Sequence, residues 1–297
     1  MNKLQLVLSN KVYTSFNQPW IVDMVKDYFD IVYIENNPQL DKKALFVTSV
    51  GADQKWCNPW HKLIIDNLWE KYYPQKQGLV LTNKNWFWYN ESLWYQNLNY
   101  HTYTPNIKSK ILKNGLLLMN IKKPHRDLLL DRLDLDKLLY SYIGNGIRID
   151  NDVNFDLNNV WQRYFNPIWY ESTAFSIVAE TLVTNDVRIF VTEKTFKPIA
   201  FRHPFIILGQ PGILSYLKSQ GFETFENIFD ESYDTSTIFN ERLNKIVQQV
   251  NNFVFREYDS FTKQKLEHNR NLFFNQTLVQ ERIIKEIFEP MLEYAET

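Results

Sequence analysis

The chain has 297 residues, 44% hydrophobic and 23% charged, with Lys+Arg 33 against Asp+Glu 34 and a formal charge of −1. That length suits two domains of roughly 150 residues and the composition excludes global disorder; near-neutral charge excludes a protein-wide basic field for nucleic acid or anionic membrane, though not a local patch. The single cysteine, Cys57, excludes an intrachain disulfide framework and a cysteine-rich zinc site, and fits a reducing compartment.

Leu4 to Leu8 alternates as a first strand, shorter than the apolar core of a secretion signal. No apolar run reaches the ~18 residues of a membrane span, so a cytoplasmic location is expected. Pro19 to Phe29 has helical spacing behind an N-terminal proline. Ile31 to Ile34 and Ala44 to Val50 read as buried strands, Trp60 to Trp69 as an amphipathic helix, and Leu79 to Leu81 as another strand. This order predicts a largely parallel α/β sheet. Trp86 to Pro105 is dense in aromatics. It is expected to pack as an irregular segment on the sheet, with a surface that stacks sugars or bases as the functional alternative.

Thr104 to Asn114 is polar and contains Pro105, which sets the expected division into 1–110, 111–275 and a C-terminal helix at 276–297. In the second part Leu116 to Met119 reads as a strand, Asp127 to Leu139 as an amphipathic helix and Leu139 to Ile143 as the next strand. Residues 175–180 and 187–191 alternate as strands. Thr195 to Phe201 opens a helix, Phe205 to Leu208 is a buried strand and Ile213 to Ser219 a helix. The end is helical: Ile238 to Phe253, Phe261 to Phe273, and Leu278 to Tyr294. In the last helix Ile283, Ile284, Ile287, Phe288, Met291 and Leu292 recur at helical spacing. That apolar face predicts burial, across the boundary on the first domain or on the second domain alone, with Pro290 kinking or ending the helix.

Two polar boxes carry the chemistry. The first follows the strand ending at Met119, where Lys122, Lys123, His125 and Arg126 precede a helix. Cations there oppose the helix dipole unless an anion is present. The second runs from Phe175 to Gly209. Thr192 can cap the helix after it, Lys194 adds a cation, and Glu193 can accept hydroxyls, a combination suited to a diphosphate joined to a ribose. Neither G-x-G-x-x-G nor a P-loop occurs.

These boxes resemble the donor-binding region of α-1,3-fucosyltransferases and related GT-B nucleotide-sugar glycosyltransferases. Phe175 with Glu180, then Phe190-Val191-Thr192-Glu193-Lys194, then the proline-led Pro204-Phe205-Ile206-Ile207 follow that family's order. TEKTFKPIAFRHPFII through GFETFENIFDESYD, with LLLMNIKKPHRDLLLDRL upstream, also resembles uncharacterised phage and viral proteins of that neighbourhood. The resemblance spans residues 115 to 245. Thr181-Leu182 departs from the Asn-Ser that follows the family's glutamate, and the first domain carries no match.

The resemblance implies an α/β fold of GT-B type, two Rossmann-like domains facing a cleft, with a helical C-terminal tail. It implies a nucleoside diphosphate sugar as donor substrate, no cofactor, no metal, and inversion at the anomeric carbon. A glycan is the expected acceptor, and a DNA base is the alternative that near-zero charge disfavours. If the chain is viral, its place is the host cytoplasm. Arg126, Glu180, Thr192, Glu193, Lys194 and Lys197 are the candidate donor-binding residues, with Arg126 on the diphosphate. The catalytic base is expected in the first domain: Asp53, in TSVGAD after the third strand, with Glu91 and His61 as rivals.

Other readings stay open. One is a non-catalytic glycan- or protein-binding module on a degenerate transferase fold. Another is a metal-dependent GT-A transferase using Asp150-Asn151-Asp152. Asp134-Leu135-Asp136 reads as the solvated face of a charged helix, Asp230 to Asp234 as caps of the helix near Ile238 with hydrogen bonds to donor hydroxyls as the alternative, and His203 as loop packing.

Overall fold

The structure, a computed structural model, describes residues 3–9, 16, 18–36, 38–49, 62–67, 79–81, 85–103, 111–149, 166–185 and 189–297. The chain divides into two compact units, Met1–Leu98 with Asn275–Thr297, and Asn99–Phe274.

In the first unit Leu4–Leu8 (β1), Pro19–Tyr28 (α1), Phe29–Tyr33 (β2), Leu45–Ser49 (β3), Lys62–Asn67 (β4) and Leu79–Val80 (β5) follow in order. The strands form a parallel sheet ordered β2-β1-β3-β4-β5. Parallel sheets are covered on both faces, so their strands read as apolar runs; Leu6, Val7, Leu8, Leu45 and Phe46 are buried accordingly. Residues 62–67 correct the helix expected at Trp60 to Trp69. The adjacent β-branched Ile64 and Ile65 favour extended backbone, and the segment pairs with β3 from Leu45↔Lys62 onward.

Trp86–Asn97 (α2) corrects the irregular segment expected there. Trp86, Trp88, Tyr89, Leu93, Trp94 and Tyr95 are all buried, and so are Asn90, Glu91 and Ser92. A helix enclosed on every side has no amphipathic period to read. Trp86 stacks on Phe16 at 5.4 Å and Trp94 meets Trp20 at 4.7 Å between ring centroids.

The C-terminal segment belongs to this unit. Asn275 caps Gln276–Ile283 (α9), its side chain accepting from the Leu278 N–H at 3.1 Å. A π turn, Ile284–Phe288, leads into Glu289–Glu296 (α10). The Phe288 ring lies 5.2 Å from Tyr28 and 5.8 Å from Phe29. The Tyr89 hydroxyl donates to Glu286 at 2.6 Å, and Lys62 Nζ donates to the Tyr294 carbonyl at 2.6 Å. The interruption expected at Pro290 takes the form of the π turn just before it. Wider winding there accommodates a residue with no N–H and a bulky ring, and the helix continues.

The second unit contains Lys113–Met119 (β6), Pro124–Leu130 (α3), Leu138–Tyr142 (β7), Pro167–Glu171 (α4), Thr173–Ala179 (β8) and Glu193–Ala200 (α5). Phe205–Leu208 (β9), Ile213–Ser219 (α6), Phe239–Asn252 (α7) and Ser260–Phe273 (α8) complete it. Its sheet is parallel, ordered β7-β6-β8-β9. Every residue of β8 is buried, and Phe175 lies 5.0 Å from Phe229 and 4.7 Å from Phe253.

Two expectations are corrected here. The helix expected over Asp127 to Leu139 stops at Leu130. A 3₁₀ turn, Leu135–Lys137, follows, with Asp134 ion-paired to Lys137 at 3.1 Å, so Asp134 and Asp136 lie at the N-terminal edge of β7 rather than on a helix face. No strand forms over 189–191, because the Phe190 N–H donates to the Gln210 side chain at 2.8 Å instead of to a ladder.

The strand order reverses between β6 and β8: the chain goes from β6 to β7 on one side and on to β8 on the other. In open α/β sheets that reversal opens a crevice outside the carboxyl ends of the strands.

Candidate functional site

Both polar boxes open at the carboxyl ends of β6 and β8. After β6, Asn120 leads to Lys123, the N-cap of α3, and Pro124 starts the helix with its fixed φ. Arg126 follows on the first turn and is only 2% exposed. Its Nη1 donates to the Ile121 carbonyl at 2.8 Å and its Nη2 to the Ala179 carbonyl at 3.2 Å. Arg126 thus bridges the loop after β6 and the end of β8, across the reversal point. Its Nε is buried without a hydrogen-bond partner.

Gly144, after β7, presses on the same loop. Its N–H donates to the Asn120 carbonyl at 2.7 Å. A Cβ there would lie 2.5 Å from that oxygen, so a side chain would push the loop aside. The Tyr142 hydroxyl accepts from the Lys123 N–H at 3.0 Å and donates to Asp127 at 2.8 Å, which fixes the start of α3.

Glu180 is fully buried at the end of β8 and accepts four hydrogen bonds. Oε1 takes the Thr192 N–H at 3.1 Å and the Thr195 hydroxyl at 2.7 Å; Oε2 takes the Thr192 hydroxyl at 2.5 Å and the Thr181 N–H at 3.1 Å. These bonds pin the entry of α5 against β8. Thr192 caps α5, accepting from the Lys194 N–H. Lys194 Nζ reaches Thr181 Oγ1 at 3.2 Å, Thr192 Oγ1 at 3.1 Å and Glu193 at 2.7 Å. Lys197 is half-buried on α5, one turn after Lys194.

The electrostatics follow from burial and crowding. Burial pulls the Arg126 guanidinium below its ordinary pKa, with Glu180 and Glu193 acting against it. Lys123 drops to about 8, first through burial and then through the neighbouring charges of Arg126 and Lys194. His125 drops to about 4 by burial, so it is neutral near pH 7. Its Nε2 lies 2.9 Å from the Glu180 carbonyl, which requires the proton on Nε2. Three cations and a neutral imidazole therefore gather beside an N-terminus of α5, an arrangement that favours an anion.

Arg126, Glu180, Thr192, Glu193 and Lys194 come together at this place, and Lys197 lies on the same helix. Asp53, His61, Asp150 and Asp152 lie outside the described residues. Glu91 is fully buried within α2. The first unit also holds a polar pair that no motif in the sequence marks. Ser9, after β1, donates to Glu35, after β2, at 2.5 Å, at the carboxyl edge of that sheet. Thr195, Tyr142 and Gly144 also carry no signal in the sequence, because an isolated hydroxyl or glycine does not show its partners.

Asp234 caps α6, accepting from the Leu214 and Ser215 N–H groups at 3.1 and 3.2 Å, and Asp230 accepts from the Ser232 N–H at 2.9 Å. Both serve backbone N–H groups, but of α6 and of the turn at Glu231–Thr235 rather than of the helix near Ile238 that was expected. His203 packs internally, bonded to Ser176 at 2.7 Å and to the Thr173 carbonyl at 2.8 Å. Among the described residues no three of His, Cys, Asp and Glu gather as a metal-ligand set. No helix there is long and apolar enough to cross a membrane.

No protein-family model matches the chain, and no curated protein matches it. Among solved structures, a crystal structure of α1,3-fucosyltransferase is similar at 13% identity and a TM-score of 0.47, covering 96% of this chain and 90% of that one. A crystal structure of α1,3-fucosyltransferase with GDP-fucose is similar at 13% identity and a TM-score of 0.41, covering 96% and 91%. Likeness this low assigns no activity, which has to be read from the residues.

Proposed function

We propose that the chain is a glycosyltransferase of GT-B type, moving a sugar from a nucleoside diphosphate sugar to an acceptor hydroxyl. The observation that carries this reading is Arg126: 2% exposed, bridging the Ile121 and Ala179 carbonyls at the reversal point of the sheet, where α/β sheets hold nucleotides. Arg126, Lys194 and the N–H groups of α5 stabilise the charge that develops on the departing diphosphate. Glu193 accepts from donor hydroxyls. Glu180, with four hydrogen bonds already accepted, positions Thr181, Thr192 and Thr195 rather than touching the donor. A base in the first unit deprotonates the acceptor hydroxyl, and Asp53 is the candidate. A single displacement with inversion follows the family resemblance, with a glycan as acceptor.

Calorimetric titration of the chain with a panel of nucleoside diphosphates tests the donor site. Lys194→Ala is expected to weaken the tightest binder by about 1.5–3 kcal/mol, the range for a hydrogen bond to a charged group. Unchanged affinity removes Lys194 from the site. Transfer is expected to survive EDTA. Loss of activity that manganese restores would instead favour metal chemistry at Asp150 and Asp152.

A further inference from the structure

Two ammonium groups approach one residue from different elements. Lys123 Nζ, from the start of α3, donates to the Thr181 carbonyl at 3.3 Å, and Lys194 Nζ, from α5, lies 3.2 Å from the Thr181 hydroxyl. Thr181 is held in turn by Glu180, which accepts its N–H at 3.1 Å. The nearby carboxylates have their own fixed partners. Glu180 serves Thr181, Thr192 and Thr195, and Glu193 is ion-paired with Lys194 at 2.7 Å. Lys123 also faces Arg126 on its own helix, and its backbone N–H is tied to Tyr142 on β7. Lys123, Arg126 and Lys194 outnumber Glu180 and Glu193 in this half-buried place, an excess of positive charge that a further anion relieves.

We propose that Lys123 completes the diphosphate pocket opposite Lys194, and that it takes up a proton when a nucleoside diphosphate binds. This deepens the transferase reading and rests on it. Burial and the two neighbouring cations, opposed by Glu180, hold Lys123 near pKa 8. An arriving polyanion offsets these effects, since it adds to the single carboxylate, Glu180, that already favours the charged form of Lys123. The pKa of Lys123 is then higher in the complex than in the free chain. Between those two values binding draws a proton from solvent, and affinity falls as pH rises, by up to about tenfold per pH unit. The other titrating neighbours do not share this window. His125 is held near 4 by burial, and the Tyr142 phenol is pushed up. The terminal phosphate of the ligand has its second ionisation near about 6, below the window.

The test titrates the full chain with GDP and UDP at pH 7.5, 8.0 and 8.5, below the range in which the guanine and uracil ring N–H groups ionise, in two buffers of different ionisation enthalpy. The expected result is uptake of up to one proton near pH 8.5 and affinity about threefold weaker at pH 8.5 than at 7.5. Lys123→Met is expected to bind about tenfold more weakly at pH 7.5 and to lose both the pH dependence and the proton uptake. Lys123→Arg, with a charge that does not titrate, is expected to keep binding while losing the proton uptake. Proton uptake that persists in Lys123→Arg, or wild-type binding with no uptake, overturns the role of Lys123 and leaves the donor site standing. Failure of the wild-type chain to bind any nucleoside diphosphate overturns the donor-site reading itself.

Discussion

Arg126 and His203 are both nearly enclosed, at 2% and 5% exposure, yet burial acts on them differently. A guanidinium stays charged and must be met by acceptors, here two carbonyls. An imidazole can shed its proton, and burial pulls the His203 pKa down to about 4. The unfolded chain takes up a proton at about 6.5, while the folded one does so only near 4. The contribution to stability is therefore fully present above pH 6.5 and is lost as pH falls toward 4, by about 3 kcal/mol. We expect His203→Gln to lose less thermal stability than wild type between pH 7.5 and 4.5. Equal losses would mean that His203 does not govern acid sensitivity. The gathering of Glu180, Thr192, Glu193 and Lys194 was legible because the motif order placed them near one another. The partners were not legible. Glu180 accepts from three threonines, and their hydroxyls and N–H groups carry no spacing signal.

Elements with one wet face were readable, and enclosed or short ones were not. α7 and α8 appear almost as their periodicity predicts, as Phe239–Asn252 and Ser260–Phe273. α2 escaped because aromatic and polar positions alike are buried in it. β4 escaped because a run such as KLIID fits either period when its flanks are aromatic. The final helix was found through its apolar stripe, but the π turn depends on Pro290 removing one donor, a local detail no stripe reports. Phe288 is fully buried in that turn against Tyr28 and Phe29. Phe288→Ala is expected to cost about 3–5 kcal/mol, the range for truncating a buried aromatic. Urea unfolding followed by tryptophan fluorescence checks this through Trp20, Trp86, Trp88 and Trp94, all in the first unit. A change below about 1 kcal/mol would mean that the π turn repacks without loss.

At the scale of the whole chain the two units are built differently. The α/β class was readable from alternating strand and helix signals, whereas the reversal point was not, since it depends on the order β7-β6-β8-β9 and not on any residue. The second unit is one continuous stretch, Asn99–Phe274, while the first is assembled from Met1–Leu98 and Asn275–Thr297. The tail contributes Val279, Ile283, Ile287, Phe288 and Met291, each fully buried. At about 1.5–3 kcal/mol per large apolar side chain these amount to roughly 8–15 kcal/mol, about the whole stability of a typical domain. The first unit should not survive without them. The second already closes its own N-terminal edge, because Arg270 of α8 donates to the carbonyls of Tyr100 and His101 at 3.1 and 2.8 Å. We therefore expect the fragment 99–274 to unfold cooperatively on its own and to bind nucleoside diphosphate within about threefold of the full chain, a difference under 1 kcal/mol. The fragment 1–98 is expected to lack a cooperative transition until a peptide of residues 275–297 is added. Circular dichroism melts of both fragments decide the matter. A cooperative melt of 1–98 alone would show that the tail only decorates a core that is already complete.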